Sequence, residues 1–77
     1  MYSTTEINID KYTQAFFTER EKDIIHELLK GKLNKEIAGT LGINIHTVKK
    51  HSKNIYRKAK VRNRIEAVHY ILYAERA

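Results

Sequence analysis

The side chains best suited to chemistry form a block of lysines and arginines in the second half of this chain. Between Ile37 and Ile65 the sequence has eight basic residues and no aspartate or glutamate, whereas the rest has seven basic and nine acidic residues. The eight are Lys49, Lys50, Lys53, Arg57, Lys58, Lys60, Arg62 and Arg64. A block of one sign favours a polyanion-binding surface, although a lysine-rich helix face that is merely solvated is the alternative.

The histidines in this block do not have the spacing of a metal site. His46 and His51 are five residues apart, which separates them by about 140° around a helix, whereas two ligands of one metal are usually four apart. The sequence has no cysteine, no glycine-rich phosphate loop and no clustered carboxylates. We therefore expect no enzyme activity, no cofactor, no metal and no small-molecule ligand. The two histidines are expected to have structural or phosphate-contacting roles.

Length and composition place these residues in one small domain. The chain has 77 residues, and no stretch approaches the ~20 apolar residues that span a membrane. No secretory signal is recognisable, and the lack of cysteine fits a reducing compartment. We expect a cytoplasmic protein without a membrane partner. Residues 1–16 show no helical period and are predicted to be an N-terminal tail; the alternative is that Tyr12 and Phe16 pack onto the domain.

Residues 17–77 predict an all-α domain whose first helix has a clear start. Thr18 and Glu21 have the spacing of a capping box, and Gly31 suits the left-handed residue that ends a helix. A short second helix is expected at about residues 34–41, with Asn34 as the best available cap. Gly42 then closes it, so that the next helix follows after a tight turn.

The third predicted helix, about residues 45–60, positions the basic block. Asn44 is its expected cap. At about 100° per residue, the side facing the domain consists of Val48, Ser52, Ile55 and Ala59. The opposite front consists of His46, Lys49, Lys50, Lys53 and Arg57. One flank consists of Thr47, His51, Asn54 and Lys58. A short helix, a glycine turn and a basic helix together predict a helix-turn-helix, whose second helix fits the ~12 Å major groove of duplex DNA.

A fourth helix, capped by Asn63 and reaching about residue 75, completes a four-helix domain with a short N-terminal tail. It has two apolar stripes on nearly opposite sides. The first consists of Ile65, Val68 and Leu72, and the second of Ala67, Tyr70, Ile71 and Ala74. Since one stripe suffices for the core, we assign the second to the interface of a homodimer. The alternatives are a helix buried more fully against the tail, and a small protein-interaction module that sequesters a partner.

Several segments resemble, in register, the LuxR/GerE-type DNA-binding domain of bacterial transcription regulators. They are FTERE at 17–21, NKEIA at 34–38, LGI at 41–43, TVK at 47–49 followed by His51, NIYRK at 54–58 and VRNRIEAV at 61–68. The resemblance covers residues 17 to about 72. A promoter-reading domain like those of sigma factors has a similar helix-turn-helix, but these motifs favour the LuxR type.

The resemblance implies a transcription regulator that binds double-stranded DNA as a dimer, with its third helix in the major groove. Base-reading positions of the family correspond to Lys49, Lys50 and Lys53, the same lysines that lie at the front of the predicted helix. The positions of Thr47 and His51 usually contact phosphate in the family. The complete set assigned to phosphate or to the flank of the site is Asn44, His46, Thr47, His51, Asn54, Arg57, Lys58 and Arg64.

The sequence departs from the family pattern in ways that bear on fold and organisation. Leu33 stands where a serine or threonine usually caps the second helix, so the cap must shift to Asn34 or be lost. Ala59 and Lys60 stand where a leucine and often a glycine are usual. Many relatives attach this domain to a receiver or ligand-binding domain, for which 77 residues leave no room. We expect either an excised fragment or a stand-alone regulator, and Met1 and the tail favour the second.

Overall fold

The computed structural model describes residues 17–76, with side chains described as far as residue 73. These residues form four α-helices and no strand. The helices are α1 (Glu19–Leu29), α2 (Asn34–Leu41), α3 (Ile45–Ala59) and α4 (Arg64–Arg76). The predicted all-α, four-helix fold is confirmed. The predicted tail at residues 1–16, and the alternative packing of Tyr12 and Phe16, lie outside the described residues.

The capping box at the start of α1 is confirmed. The Glu21 amide donates to Thr18 Oγ1 at 3.1 Å, and the Thr18 amide donates to Glu21 Oε1 at 2.9 Å. Two of the four orphan amide groups at this helix end are thereby satisfied. Gly31 and Gly42 both have left-handed backbone conformations, with φ of 80° and 68°, as predicted for the ends of α1 and α2. The turns on either side of α2 are therefore encoded locally.

The prediction that Asn34 caps α2 is wrong. Asn34 is the first helical residue, and Leu33 occupies the cap position in an extended conformation without a side-chain hydrogen bond. Because leucine has no acceptor atom, only the reverse half of a capping box forms, in which the Leu33 amide donates to Glu36 Oε1 at 2.7 Å. The helix keeps the family's starting position and loses its usual cap.

Asn44 and Asn63 act as the predicted starts of α3 and α4. Asn44 Oδ1 accepts from the His46 amide at 2.7 Å, and Asn63 Oδ1 accepts from the Glu66 amide at 3.0 Å. α3 ends at Ala59, one residue before the predicted end, because Lys60 turns into the left-handed region with φ of 59°. Among the described residues Lys60 is the only one other than glycine with a positive φ. Lysine, which adopts the left-handed conformation less readily than glycine, thus occupies the turn where the family often has glycine.

The core lies behind α3, which packs against each of the other three helices. Its predicted inward residues Val48, Ser52, Ile55 and Ala59 are all buried. They meet an apolar cluster whose other buried members are Phe17, Ile24, Ile25, Leu28, Ile37, Ala38 and Ile71. Burying one face of α3 at the centre of the core fixes its opposite face outward.

The predicted roles of the two apolar stripes of α4 are wrong. Ala67 and Ile71, assigned to a dimer interface, are only 2% and 4% exposed and belong to the interior of the chain. Tyr70 is half-buried, and the side chain of Ala74 lies outside the described part. Ala67 and Ile71 line a small internal cavity together with Leu28 of α1 and Ile55 of α3. Ile65 and Leu72 of the other stripe are exposed instead, and Val68 is half-buried.

In the part of the chain that the structure describes, no helix is both long and apolar enough to cross a membrane.

Candidate nucleic-acid interface

The outer side of α3 forms a shallow concave surface, which we call the basic face. It is lined by His46, Lys49, Lys50, Lys53, Asn54 and Arg57. The three lysines that the family resemblance assigned to base reading are exposed there side by side, and among residues 17–73 no carboxylate lines the surface. His46, Asn54 and Arg57, which were assigned to phosphate or to the flank, border the same surface.

The geometry of the basic face follows from the position of α3 in the fold. Residues four apart on a helix lie on one side and are separated by ~6 Å along its axis, so Lys49 and Lys53 are neighbours on the surface. The buried row that includes Val48 and Ile55 prevents the helix from turning this side inward. The Asn44 cap fixes where the helix begins relative to the turn at Gly42. Local caps and core packing together present the lysines to the outside.

Lys58 differs from the other lysines of α3 because its charge is bound within the fold. Its Nζ donates to Glu21 Oε1 on α1 at 2.7 Å, and the Glu21 side chain is almost fully buried. Lys58 therefore does not line the basic face. Lys58 was assigned to phosphate or to the flank, and this ion pair, which connects α1 to α3, uses its ammonium group within the fold.

The Glu21 carboxylate is held in its ionised form. Burial acts to raise its pKa, but hydrogen bonds from Lys58 and from the Thr18 amide outweigh burial, so that the pKa lies below its ordinary value of 4.5. The nearby charges of Lys58 and His51 lower the pKa further. One carboxylate thus caps α1 and neutralises a lysine of α3.

The remaining predicted residues do not line the basic face, and Arg64 lines a separate groove with Gly31 and His69. Thr47 and His51 are half-buried on α3, and His51 Nδ1 is buried without a hydrogen-bond partner in the described structure. Arg64 is half-buried at the start of α4. Asn44 is exposed, and its Oδ1 atom is used by the helix cap. These four residues could reach DNA only from the periphery of the site.

A second buried carboxylate, Glu27 on α1, was not identified from the sequence. Lys32 Nζ lies 2.8 Å from Glu27 Oε1, and Lys30 Nζ lies 3.3 Å from Glu27 Oε2. The hydrogen bond from Lys32 is the main cause of the lowered pKa of Glu27. The pair of Glu27 and Lys30 could have been predicted from the sequence, because residues three apart are neighbours on a helix. These contacts hold the turn between α1 and α2 and are away from the basic face.

Within the described residues, no group of three or more histidine, cysteine, aspartate or glutamate side chains could hold a metal ion. The lysines and the arginine of the basic face supply hydrogen-bond donors and positive charge.

Comparison with known proteins gives a family match over most of the chain. A family model described as bacterial regulatory proteins, luxR family, matches residues 15–71. The nitrate/nitrite response regulator protein NarP of Escherichia coli (strain K12) is 52% identical over 53 residues, which are 69% of this chain and 25% of that protein. The CsgBAC operon transcriptional regulatory protein of the same strain is 42% identical over 67 residues, 87% of this chain and 28% of that protein.

A third relative is the transcriptional regulatory protein DesR of Bacillus subtilis (strain 168), 41% identical over 64 residues that make up 82% of this chain and 32% of that protein. The chain thus spans between a quarter and a third of the length of these relatives. The family match, the helix-turn-helix of α2 and α3 and the basic face agree with one another. The chain belongs to the LuxR family of bacterial regulatory proteins and has the helix-turn-helix fold of that family.

Proposed function

We propose that this chain binds double-stranded DNA in a sequence-specific manner, with α3 in the major groove. The observation that carries the proposal is the basic face, where three lysines and an arginine stand together on the exposed side of one helix without a carboxylate. A helix with side chains is ~10–12 Å in diameter and fits the ~12 Å width of the groove. As a DNA-binding regulator, the protein acts in the cytoplasm.

The proposed contacts divide into base reading and positioning. Lys49, Lys50 and Lys53 are assigned to base edges, because they are exposed at the centre of the face. Side chains around them are assigned to phosphates, which fix the register of the protein but do not read sequence. These are Asn44, His46, Thr47, His51, Asn54, Arg57 and Arg64. Lys58 is left out, because its ammonium group is bound to Glu21.

We further propose that the chain acts as a homodimer through the outer stripe of α4, defined as Ile65, Val68 and Leu72. Ile65 is 73% exposed and Leu72 is 38% exposed. The neighbouring Tyr73 is 64% exposed, and its ring lies 5.7 Å from the ring of His69. A small domain loses stability by exposing such a row to water, and an isologous contact between two copies covers it. Two half-sites about one helical turn apart, ~10 bp, would then be bound.

The outer stripe also favours a second candidate function, in which α4 binds and sequesters a different protein. That function does not require the basic face. Acidic replacements of Lys49, Lys50 and Lys53 should abolish DNA binding under our proposal and leave the binding of such a partner intact.

The division of contacts is tested by two single variants. Lys53→Ala should reduce the preference for a selected site over random duplex by about 1–3 kcal/mol, because a base contact is lost. His51→Ala should weaken binding to both duplexes alike, because a phosphate contact is the same in every sequence. Fluorescence anisotropy with labelled duplexes measures both effects. Equal losses on selected and random DNA for Lys53→Ala would rule out its base-reading role.

A further inference from the structure

We propose that the DNA sequence preferred by this chain is guanine-rich, with at least two guanines within three consecutive base pairs of each half-site. This inference rests on the proposed function and specifies the DNA that the basic face accepts. It follows from the hydrogen-bonding character of the side chains that line the face, from the absence of available acceptors and from the spacing of the lysines.

The three central side chains can only donate hydrogen bonds. A lysine ammonium group has three donors and no acceptor. In the major groove guanine offers two acceptors, O6 and N7, and thymine offers only one, O4, beside its methyl group. Cytosine offers the N4 amino donor, and adenine has an N6 amino donor beside its N7 acceptor. An ammonium group opposite an amino group would leave both donors unsatisfied. Guanine is the base whose major-groove edge matches Lys49, Lys50 and Lys53 best.

Side chains that could select another base are scarce on this surface. Reading cytosine requires a carboxylate, and none of the described residues that line the basic face carries one. Glu21, the acidic residue that pairs with Lys58 of α3, is buried and already accepts from Lys58 and from the Thr18 amide. Asn54 could read adenine, but it is half-buried at the edge of the face. Acceptors for amino groups are therefore confined to the border formed by His46 and Asn54.

The spacing of the lysines matches adjacent base pairs. Lys49 and Lys53 are separated by four residues, or ~6 Å along the helix axis, and two base-pair steps span ~6.8 Å. Lys50 lies on the same face between them. The three ammonium groups can thus reach three consecutive base pairs, and this sets the length of the proposed guanine-rich segment.

The test is selection of bound sites from random duplexes by the 77-residue chain, followed by affinity measurements on the selected duplex. We expect each half-site to contain two or more guanines within three consecutive base pairs. Replacing those guanines by 7-deazaguanine, which lacks the N7 acceptor, should weaken binding about fivefold or more. An enriched sequence without guanine at these positions would overturn the inference and leave the proposed function standing. Failure to enrich any sequence would count against the proposed function itself.

A substitution that changes the preference gives an independent readout. Glutamine pairs with N6 and N7 of adenine, so Lys53→Gln should change the preference from guanine to adenine at one base pair, by about fivefold to a hundredfold. Lys35→Gln removes the same charge from an exposed position of α2 that does not line the basic face, and should leave the selected sequence unchanged. Retention of guanine at every position by Lys53→Gln would overturn the assignment of Lys53.

Discussion

Two lysines five residues apart on α3 have opposite environments, and a single carboxylate makes the difference. Lys53 is exposed on the basic face, whereas Lys58 is bound by the buried Glu21 of α1. The capping role of Glu21 could be predicted from sequence, because it depends on residues three apart. Its pairing with Lys58 could not, because the two residues are 37 positions apart and only the packing of α1 on α3 brings them together.

For single residues, we predict that Glu21→Gln destabilises the domain by about 2 kcal/mol. The substitution weakens the hydrogen bond between Lys58 and a buried charged group, and it alters half of the capping box with Thr18. The exposed pair of Glu19 and Lys22 supplies the matched control, and Glu19→Gln should change the stability by less than about 0.5 kcal/mol. Urea unfolding followed by circular dichroism at pH 7 measures both. Equal effects of the two variants would contradict a special role of Glu21.

The pH dependence of stability provides a second readout of the same carboxylate. Because the pKa of Glu21 is lower in the folded chain than its ordinary value of 4.5, its contribution is present above pH ~4.5 and is lost as pH falls through the folded pKa. Glu27 contributes with the same sign. The stability of the Glu21→Gln variant should therefore fall less steeply below pH 4.5 than that of the unchanged chain.

Whole helices were predictable where a side chain at the helix end supplies the missing hydrogen bond. Thr18, Asn44 and Asn63 all act as the sequence indicated. The predicted start of α2 was wrong, because Leu33 occupies the cap position even though its side chain cannot accept a hydrogen bond. The inward side of α4 was also not predictable, since both of its stripes are apolar and periodicity alone does not choose between them.

At the scale of the element, we predict that Leu33→Ser stabilises the domain by about 1 kcal/mol. A serine Oγ at this extended position can accept from the Glu36 amide and complete the capping box. Leu33 is 63% exposed, so little apolar burial is lost. Thermal unfolding should show a rise in Tm of about 4–8 °C, and Leu33→Ala, which adds no acceptor, should not reproduce it. A serine variant no more stable than the alanine variant would contradict the proposed cap.

In the molecule as a whole, the basic face and the outer stripe are on different helices, α3 and α4, that share one core. We therefore expect surface substitutions to alter the proposed DNA contact and the proposed self-association separately. The sequence predicted the basic face well, because a uniform charge opposite an apolar row has one stable orientation. The sequence also predicted that α4 has a second apolar stripe that the core does not need. It chose the wrong stripe for that role, because the fit of Ala67 into the core is decided by three-dimensional packing.

For the whole molecule we predict that Ile65→Glu weakens dimerisation at least tenfold while the fold is retained, because it places a charge at the most exposed residue of the outer stripe. Leu33→Glu is the matched control, since it also puts a carboxylate at an exposed apolar position, but outside the stripe. Analytical ultracentrifugation at micromolar protein, with and without DNA, measures the association. If the unchanged chain stays monomeric both free and on DNA, the proposed dimer is incorrect.

The central claim, that the exposed lysines of α3 bind duplex DNA, is tested most directly by the salt dependence of DNA affinity. The logarithm of the affinity should fall linearly with the logarithm of salt concentration, with a slope of ~0.9 per phosphate neutralised. The triple replacement of Lys49, Lys50 and Lys53 by glutamate should abolish binding at every salt concentration, with the helical circular dichroism spectrum unchanged. An affinity that is independent of salt, or that survives the triple replacement, would contradict the account.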